Sequence, residues 1–205
     1  MIKDLVTFNR SYRRFHEMEI IEKETLVELI ELARLSPSPR NLQPYKFIVS
    51  TIVDCNKRIY ETLAWAGYLV DWPGPPEGER PSAYIIILSD KSITGNLDSE
   101  NLSYGCGVVA QSIMLGAAEK GIGGCIIGSV QRQKLALELN LGDGYEILLV
   151  LALGIPYEEI VLEELDESGD VKYWRDDNKV HHVPKRNLED LILEVANKTK
   201  DETIE

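Results

Sequence analysis

The apolar run ILLVLALGI at 147–155 is the feature that most limits what this chain can fold into. A helix needs about 20 apolar residues to span a bilayer, so a run this short belongs in the interior of a globular body. As part of YEILLVLALG, closed by Gly154-Ile155-Pro156, it reads as a strand. AYIIILS at 83–89, bounded by Pro81 and Asp90, reads as a second buried strand, and KFIVS and GGCIIGSV supply two more. With 205 residues, 44% of them hydrophobic, the chain has enough material for one large domain spanning 1–205.

Helical spacing falls between these strands. Residues 3–9 suggest a short helix, and 22–35 carry Leu26, Ile30 and Ala33 on one face until Ser36-Pro37 ends it. Further helices are expected over 54–67, 98–120 and 131–140. Strands and helices do not alternate with βα regularity, so the expected class is α+β, a mostly antiparallel central sheet flanked by helices. In the tail, VKYWR and VHHV flank DDNK as an exposed hairpin, and NLEDLILEVANK reads as a closing amphipathic helix. The 98–120 helix is rich in small residues, among them Gly105, Gly107, Ala110 and Gly116. Glycine costs a helix about 1 kcal/mol relative to alanine, so these positions suggest close approach by another backbone. That backbone belongs either to a second subunit across a dimer seam or to the core of the same subunit.

A net charge of -12 and a pI near 4.8 argue against a nucleic-acid or anionic-membrane partner. An anionic ligand must therefore meet a local basic patch. Three cysteines with no CxxC pair suggest neither a disulfide framework nor a zinc site, and a reduced, cytoplasmic setting is expected. MIKDLVTFNRSYRRF lacks the apolar core and cleavage site of a secretory signal.

NRSYRRF provides one basic patch: Arg10, Arg13 and Arg14 surround the hydroxyl of Ser11, a composition suited to phosphate. The alternative is a solvated basic edge paired with carboxylates. A second basic point, Lys185-Arg186, follows His181, His182 and Pro184. Adjacent histidines on a strand face opposite sides, so a shared metal is not expected. SPSPRNLQPYKFIVS at 36–50 places three prolines and the amides of Asn41 and Gln43 in a rigid loop leading into a strand, more than a simple turn needs. GIGGCIIG at 121–128 follows a helix and opens a strand, the reverse of a dinucleotide fingerprint, yet its glycines would let backbone amides approach a flat ligand. Cys125 reads as a small buried residue rather than a nucleophile. Trp65, Tyr68 and Trp72 form either an aromatic lid or a loop anchor.

Taken together, RSYRRF at 10–15, SPSPRNLQPYKF at 36–47, GIGGCIIG at 121–128 and VPKRNLEDLI at 183–192 resemble, in order and spacing, the nitroreductase family of FMN-dependent oxidoreductases. The resemblance implies a nitroreductase-like, domain-exchanged homodimer with FMN at the subunit interface and the 166–205 hairpin and helix packing on the partner. It implies that Arg10, Ser11 and Arg13 hold the phosphate, the ribityl chain and the N1/O2 side of the flavin, with Lys185 or Arg186 completing the phosphate site. Pro37, Ser38 and Asn41 would line the ring from the partner, supported by Gln43, and amides at Ile122, Gly123 and Gly124 would lie beside the ring near N5. The implied activity takes hydride from NADH or NADPH and reduces nitro, quinone or related small-molecule acceptors by a ping-pong mechanism. A flavin carrier or sensor without turnover is the alternative. Tyr45 stands where the family often has tryptophan, and Pro39-Arg40 replaces a commoner small pair.

Overall fold

The structure, a computed structural model, describes residues 1–194. The chain divides into two compact units, Met1–Glu159 and Ile160–Glu205.

The first unit is built on a four-stranded sheet of β1 (Tyr45–Ser50), β2 (Ala83–Asp90), β3 (Gly123–Ile127) and β4 (Tyr145–Gly154). Its order is β1-β2-β4-β3 and every named pair is antiparallel. The two longest apolar runs of the sequence therefore become its two central strands. Both faces of β2 are buried, from Ala83 to Ser89, which is why that strand reads as an unbroken apolar run rather than an alternating one. The expected α+β, mostly antiparallel architecture is what the structure shows.

Around the sheet run α1 (Ile2–Phe8), α2 (Lys23–Leu35), α3 (Val53–Tyr60), α4 (Lys91–Thr94), α5 (Ser99–Glu119) and α6 (Arg132–Glu138). In α2, Leu26, Leu29 and Ala33 face the core, and the helix stops at Ser36, whose extended backbone (φ -72°, ψ 149°) is the conformation a following proline favours. Asp98 caps α5 by accepting a hydrogen bond from the Asn101 amide at 2.7 Å. Val109, Ile113 and Met114 of α5 join Leu26 and Leu29 of α2 and Ile85, Ile87 and Leu151 of the sheet in one hydrophobic core. No helix among the described residues is long and apolar enough to cross a membrane.

The helix expected over 54–67 ends at Tyr60. Past that point the Thr62 hydroxyl donates back to the Ile59 carbonyl, and the Ala64 amide donates to Ser129 across the fold, so the backbone leaves helical pairing for a tertiary one.

In the second unit, β5 (Ile160–Glu164) pairs in parallel with β7 (His181–Lys185), which pairs antiparallel with β6 (Trp174–Arg175). The β6–β7 hairpin lies where VKYWR and VHHV suggest one, but it is not the exposed hairpin expected, since His181 is buried and His182–Pro184 are half-buried, and β5 is an addition to it. The Asp176 carboxylate closes the turn by accepting from the Val180 amide at 2.8 Å. The helix expected over NLEDLILEVANK is different: its described part contains only a 3₁₀ turn at Glu189–Leu191, followed by extended Ile192. Leu188, Leu191, Ile192 and Leu193 are all exposed, and an amphipathic helix without a buried face has little to stabilise it. Residues 195–198 of that stretch lie outside the described residues.

Candidate functional site

The segment Arg10–Phe15 is fastened to the end of the sheet. Ser11 forms a parallel bridge with Gly124, and the Tyr12 amide donates to the Gly124 carbonyl at 3.0 Å. Farther on, Phe15 bridges Pro156 and donates its amide to Glu79. This lacing requires Gly123, because a Cβ there would stand 2.7 Å from both the Tyr12 ring and Pro156. Gly123 and Gly124 thus have a packing role in the structure, and the backbone of the segment carrying Arg10, Ser11 and Arg13 runs beside the segment of Ile122, Gly123 and Gly124.

The three arginines of the motif are not equivalent. Arg14 is buried and grips the Glu79 carboxylate with two bonds of 2.5 and 2.8 Å, while its guanidinium lies 4.8 Å from the centre of the Tyr157 ring. The bond to Glu79 raises its pKa above the ordinary arginine value, so Arg14 is committed to the fold. Arg13 is also buried. Its amide donates to the Glu158 carboxylate and its Nη1 to the Ser11 carbonyl at 3.1 Å. Arg10 donates from Nη2 to the Val6 carbonyl at 2.7 Å, but its Nε is shielded from solvent and has no hydrogen-bond partner among the described residues. The Ser11 side chain beside it is exposed. Buried donors of this kind are almost always satisfied, so Arg10 marks a place for an acceptor.

The loop at 37–43 holds its shape by local bonds more than by its prolines alone. Arg40, Asn41 and Gln43 have left-handed backbone (φ 52°, 54° and 51°), a conformation that non-glycine residues adopt only when their surroundings enforce it. The Ser38 hydroxyl accepts from the Gln43 amide at 2.9 Å, and the Gln43 side chain donates to the Asn41 carbonyl at 3.1 Å. Pro39 and Tyr45 seat the loop on Gly105 of α5, where a Cβ would be 2.7 Å from Pro39 and 2.1 Å from the Tyr45 hydroxyl. Pro37, Asn41 and Gln43 remain exposed. Ser38, Gln43 and Tyr45 also line, with Val27, Ile30 and Arg34 of α2, a pocket of about 360 Å³.

Lys185 and Arg186 belong to the second unit, where both are exposed at the end of β7. His181 is buried beside Tyr173, while His182 meets the Glu163 carboxylate and stacks on Trp174 at 4.1 Å. Cys125 is buried in β3, and burial pushes its thiol above the ordinary range, as suits a packing residue.

Glu79 and Glu158 were not singled out in the sequence, yet they hold Arg14 and the backbone of Arg13. One acidic residue among 34 carries no local mark of such a role.

The nitroreductase family model matches residues 6–68 and 80–155. Over 182 residues the chain is 26% identical to an oxygen-insensitive NADPH nitroreductase of Helicobacter acinonychis, covering 74% of this chain and 86% of that one. Among solved structures, an FMN-dependent nitroreductase of Clostridium difficile superposes with a TM-score of 0.60 at 21% identity, covering 77% of this chain and 88% of the other. A nitroreductase family protein of Clostridium novyi gives 0.61 at 21% identity, with 76% and 86% covered. The matched residues take in the RSYRRF segment, the 36–45 loop and β3, and with them the chain belongs to the nitroreductase family.

Proposed function

We propose that this chain is an FMN-dependent oxidoreductase that takes hydride from NADH or NADPH and reduces small nitro, quinone or related acceptors as a homodimer. The observation that carries the reading is Arg10: a shielded guanidinium nitrogen without a partner among the described residues, next to the exposed residue Ser11, in a chain whose overall charge repels anions. That donor set fits a phosphate monoester.

FMN, when bound, supplies the redox chemistry, accepting electrons from the nicotinamide and passing them to the second substrate. The chain binds and orients. Arg10 and Ser11 hold the phosphate. Arg13, kept in place by Glu158 and the Ser11 carbonyl, sets positive charge at the pyrimidine edge of the ring. Pro37, Ser38 and Asn41, braced by Gln43, line the ring of the partner's cofactor, and Ile122, Gly123 and Gly124 form the backbone wall beside it. Two features support the dimer. Tyr104, Gly107, Val108 and Gln111 form an exposed stripe on α5 at helical spacing, and among the described residues nothing beyond the adjoining turns of α5 comes within 4 Å of a Cβ at Gly107.

Anaerobic mixing of the FMN-loaded protein with NADH and NADPH tests the reading. Rapid bleaching of the flavin band, followed by recovery with a quinone, is expected. Bound flavin that stays oxidised with both donors would favour a carrier or sensor.

A further inference from the structure

Tyr84 of β2 is completely buried, and its hydroxyl has no hydrogen-bond partner among the described residues. The same is true of two atoms close by in sequence, Ser82 Oγ and Arg80 Nε. All three residues line one cavity of about 250 Å³. An unpaired buried polar group costs about 1–3 kcal/mol, so three of them on residues that line one space favour a polar occupant.

The neighbouring groups narrow what that occupant is. The Asn56 amide is already committed, accepting from Ser50 and donating to the Ser82 carbonyl, each at 2.7 Å. The Tyr60 hydroxyl donates to the Pro75 carbonyl at 2.9 Å, and the Arg80 guanidinium lies over the Tyr60 ring at 4.4 Å. Glu17 accepts from the amides of Gly78 and Arg80. What lacks a hydrogen-bond partner among the described residues is rich in donors: Arg80 Nε and the Tyr84 and Ser82 hydroxyls, with Lys57 and the N-terminus of α3, where Ile52 offers no side-chain cap, beside them. Such a set takes a carboxylate.

The lining is not cationic overall, however. Arg80 and Lys57 stand with Glu17, Asp54 and Glu77, one negative charge in excess. A phosphate dianion would be repelled, whereas a ligand carrying an ammonium group as well as a carboxylate meets both signs. Ile20, Val53 and Pro81 leave an apolar stretch of wall for a short side chain. We propose that this cavity binds a free α-amino acid, its carboxylate on Arg80, Ser82 and Tyr84 and its ammonium group on the acidic rim of Asp54 and Glu77. None of the residues assigned to FMN lines it.

Titration calorimetry on the FMN-loaded protein tests this, with glycine, L-alanine and L-valine as ligands and acetate, methylamine and inorganic phosphate as controls. Saturable binding of at least one amino acid, tighter than every control, is expected. Tyr84→Phe, which removes only the hydroxyl, is expected to weaken that binding about tenfold, the scale of a hydrogen bond to a charged group. Ser82→Ala provides a second variant with a smaller loss. No saturable amino-acid binding, equal binding by both variants, or tighter binding of any control would overturn the proposal; the first of these would leave ordered water as the occupant. Bound flavin, followed by its absorbance, is expected to be unchanged throughout, so the outcome is independent of the redox reading.

Discussion

At the residue scale, the RSYRRF motif shows how much of a site a sequence can disclose. The concentration of cations is visible in it, but their division of labour is not, because the deciding carboxylates lie 65 and 145 positions away. Arg14 belongs to Glu79 and Arg13 is tied to Glu158 and Ser11, while Arg10 Nε has no hydrogen-bond partner among the described residues. Removing one partner of a buried pair strands the other charge at a cost of about 3–5 kcal/mol, and the partial exposure of Glu79 (22%) lowers that figure. Glu79→Ala is therefore expected to destabilise the protein by about 2–3 kcal/mol in urea unfolding, with Glu79→Gln milder because one bond to Arg14 survives. A second test uses pH. Burial pushes the Cys106 thiol from 9.0 up to about 12, so the folded state holds its proton in a range where the unfolded chain releases it. That contribution is complete below pH 9 and is lost as the pH rises toward 12, so stability is expected to fall across this window. Tyr45, raised from 10.0 to about 12, acts in the same direction. Cys106→Ala should flatten part of the alkaline decline while leaving the profile below pH 8 unchanged.

At the scale of elements, the strands were legible because their burial is a property of the run itself: a central strand covered on both faces is apolar throughout. Helix ends were legible where a local rule decides them, as Pro37 does for α2 and Asp98 for α5. They were not legible where a distant backbone wins the hydrogen bonds, as Ser129 does from Ala64. β5 went unseen because IVLEE is short and half-exposed, and its pairing with β7 is between segments about twenty residues apart. The small-residue helix left open whether its glycines serve the core or a seam, and α5 divides them. Gly105 faces Pro39 and Tyr45, and the Tyr45 hydroxyl is tied to the Leu102 carbonyl at 2.9 Å and cannot easily move aside. Gly105→Ala is expected to cost about 1–3 kcal/mol and to loosen flavin, since it displaces the 37–43 loop. Gly107 faces open space in the subunit. In light scattering, Gly107→Arg is expected to shift the proposed dimer toward monomer. A dimer that persists unchanged would remove α5 from the seam.

At the scale of the whole molecule, an acidic chain gathers positive charge at its N-terminal segment, holds it with two distant glutamates, and leaves Arg10 Nε without a partner among the described residues beside the exposed Ser11. The fold alone would not say what that nitrogen is for; as proposed above, it meets the phosphate of FMN. The most direct measurement compares the affinities of FMN and riboflavin, which lacks the phosphate, for the wild-type protein and for Arg10→Ala. The expected result is a loss of about tenfold or more for FMN, with riboflavin affinity unchanged. Equal losses for both ligands, or no loss for either, would contradict the assignment of Arg10 to the phosphate.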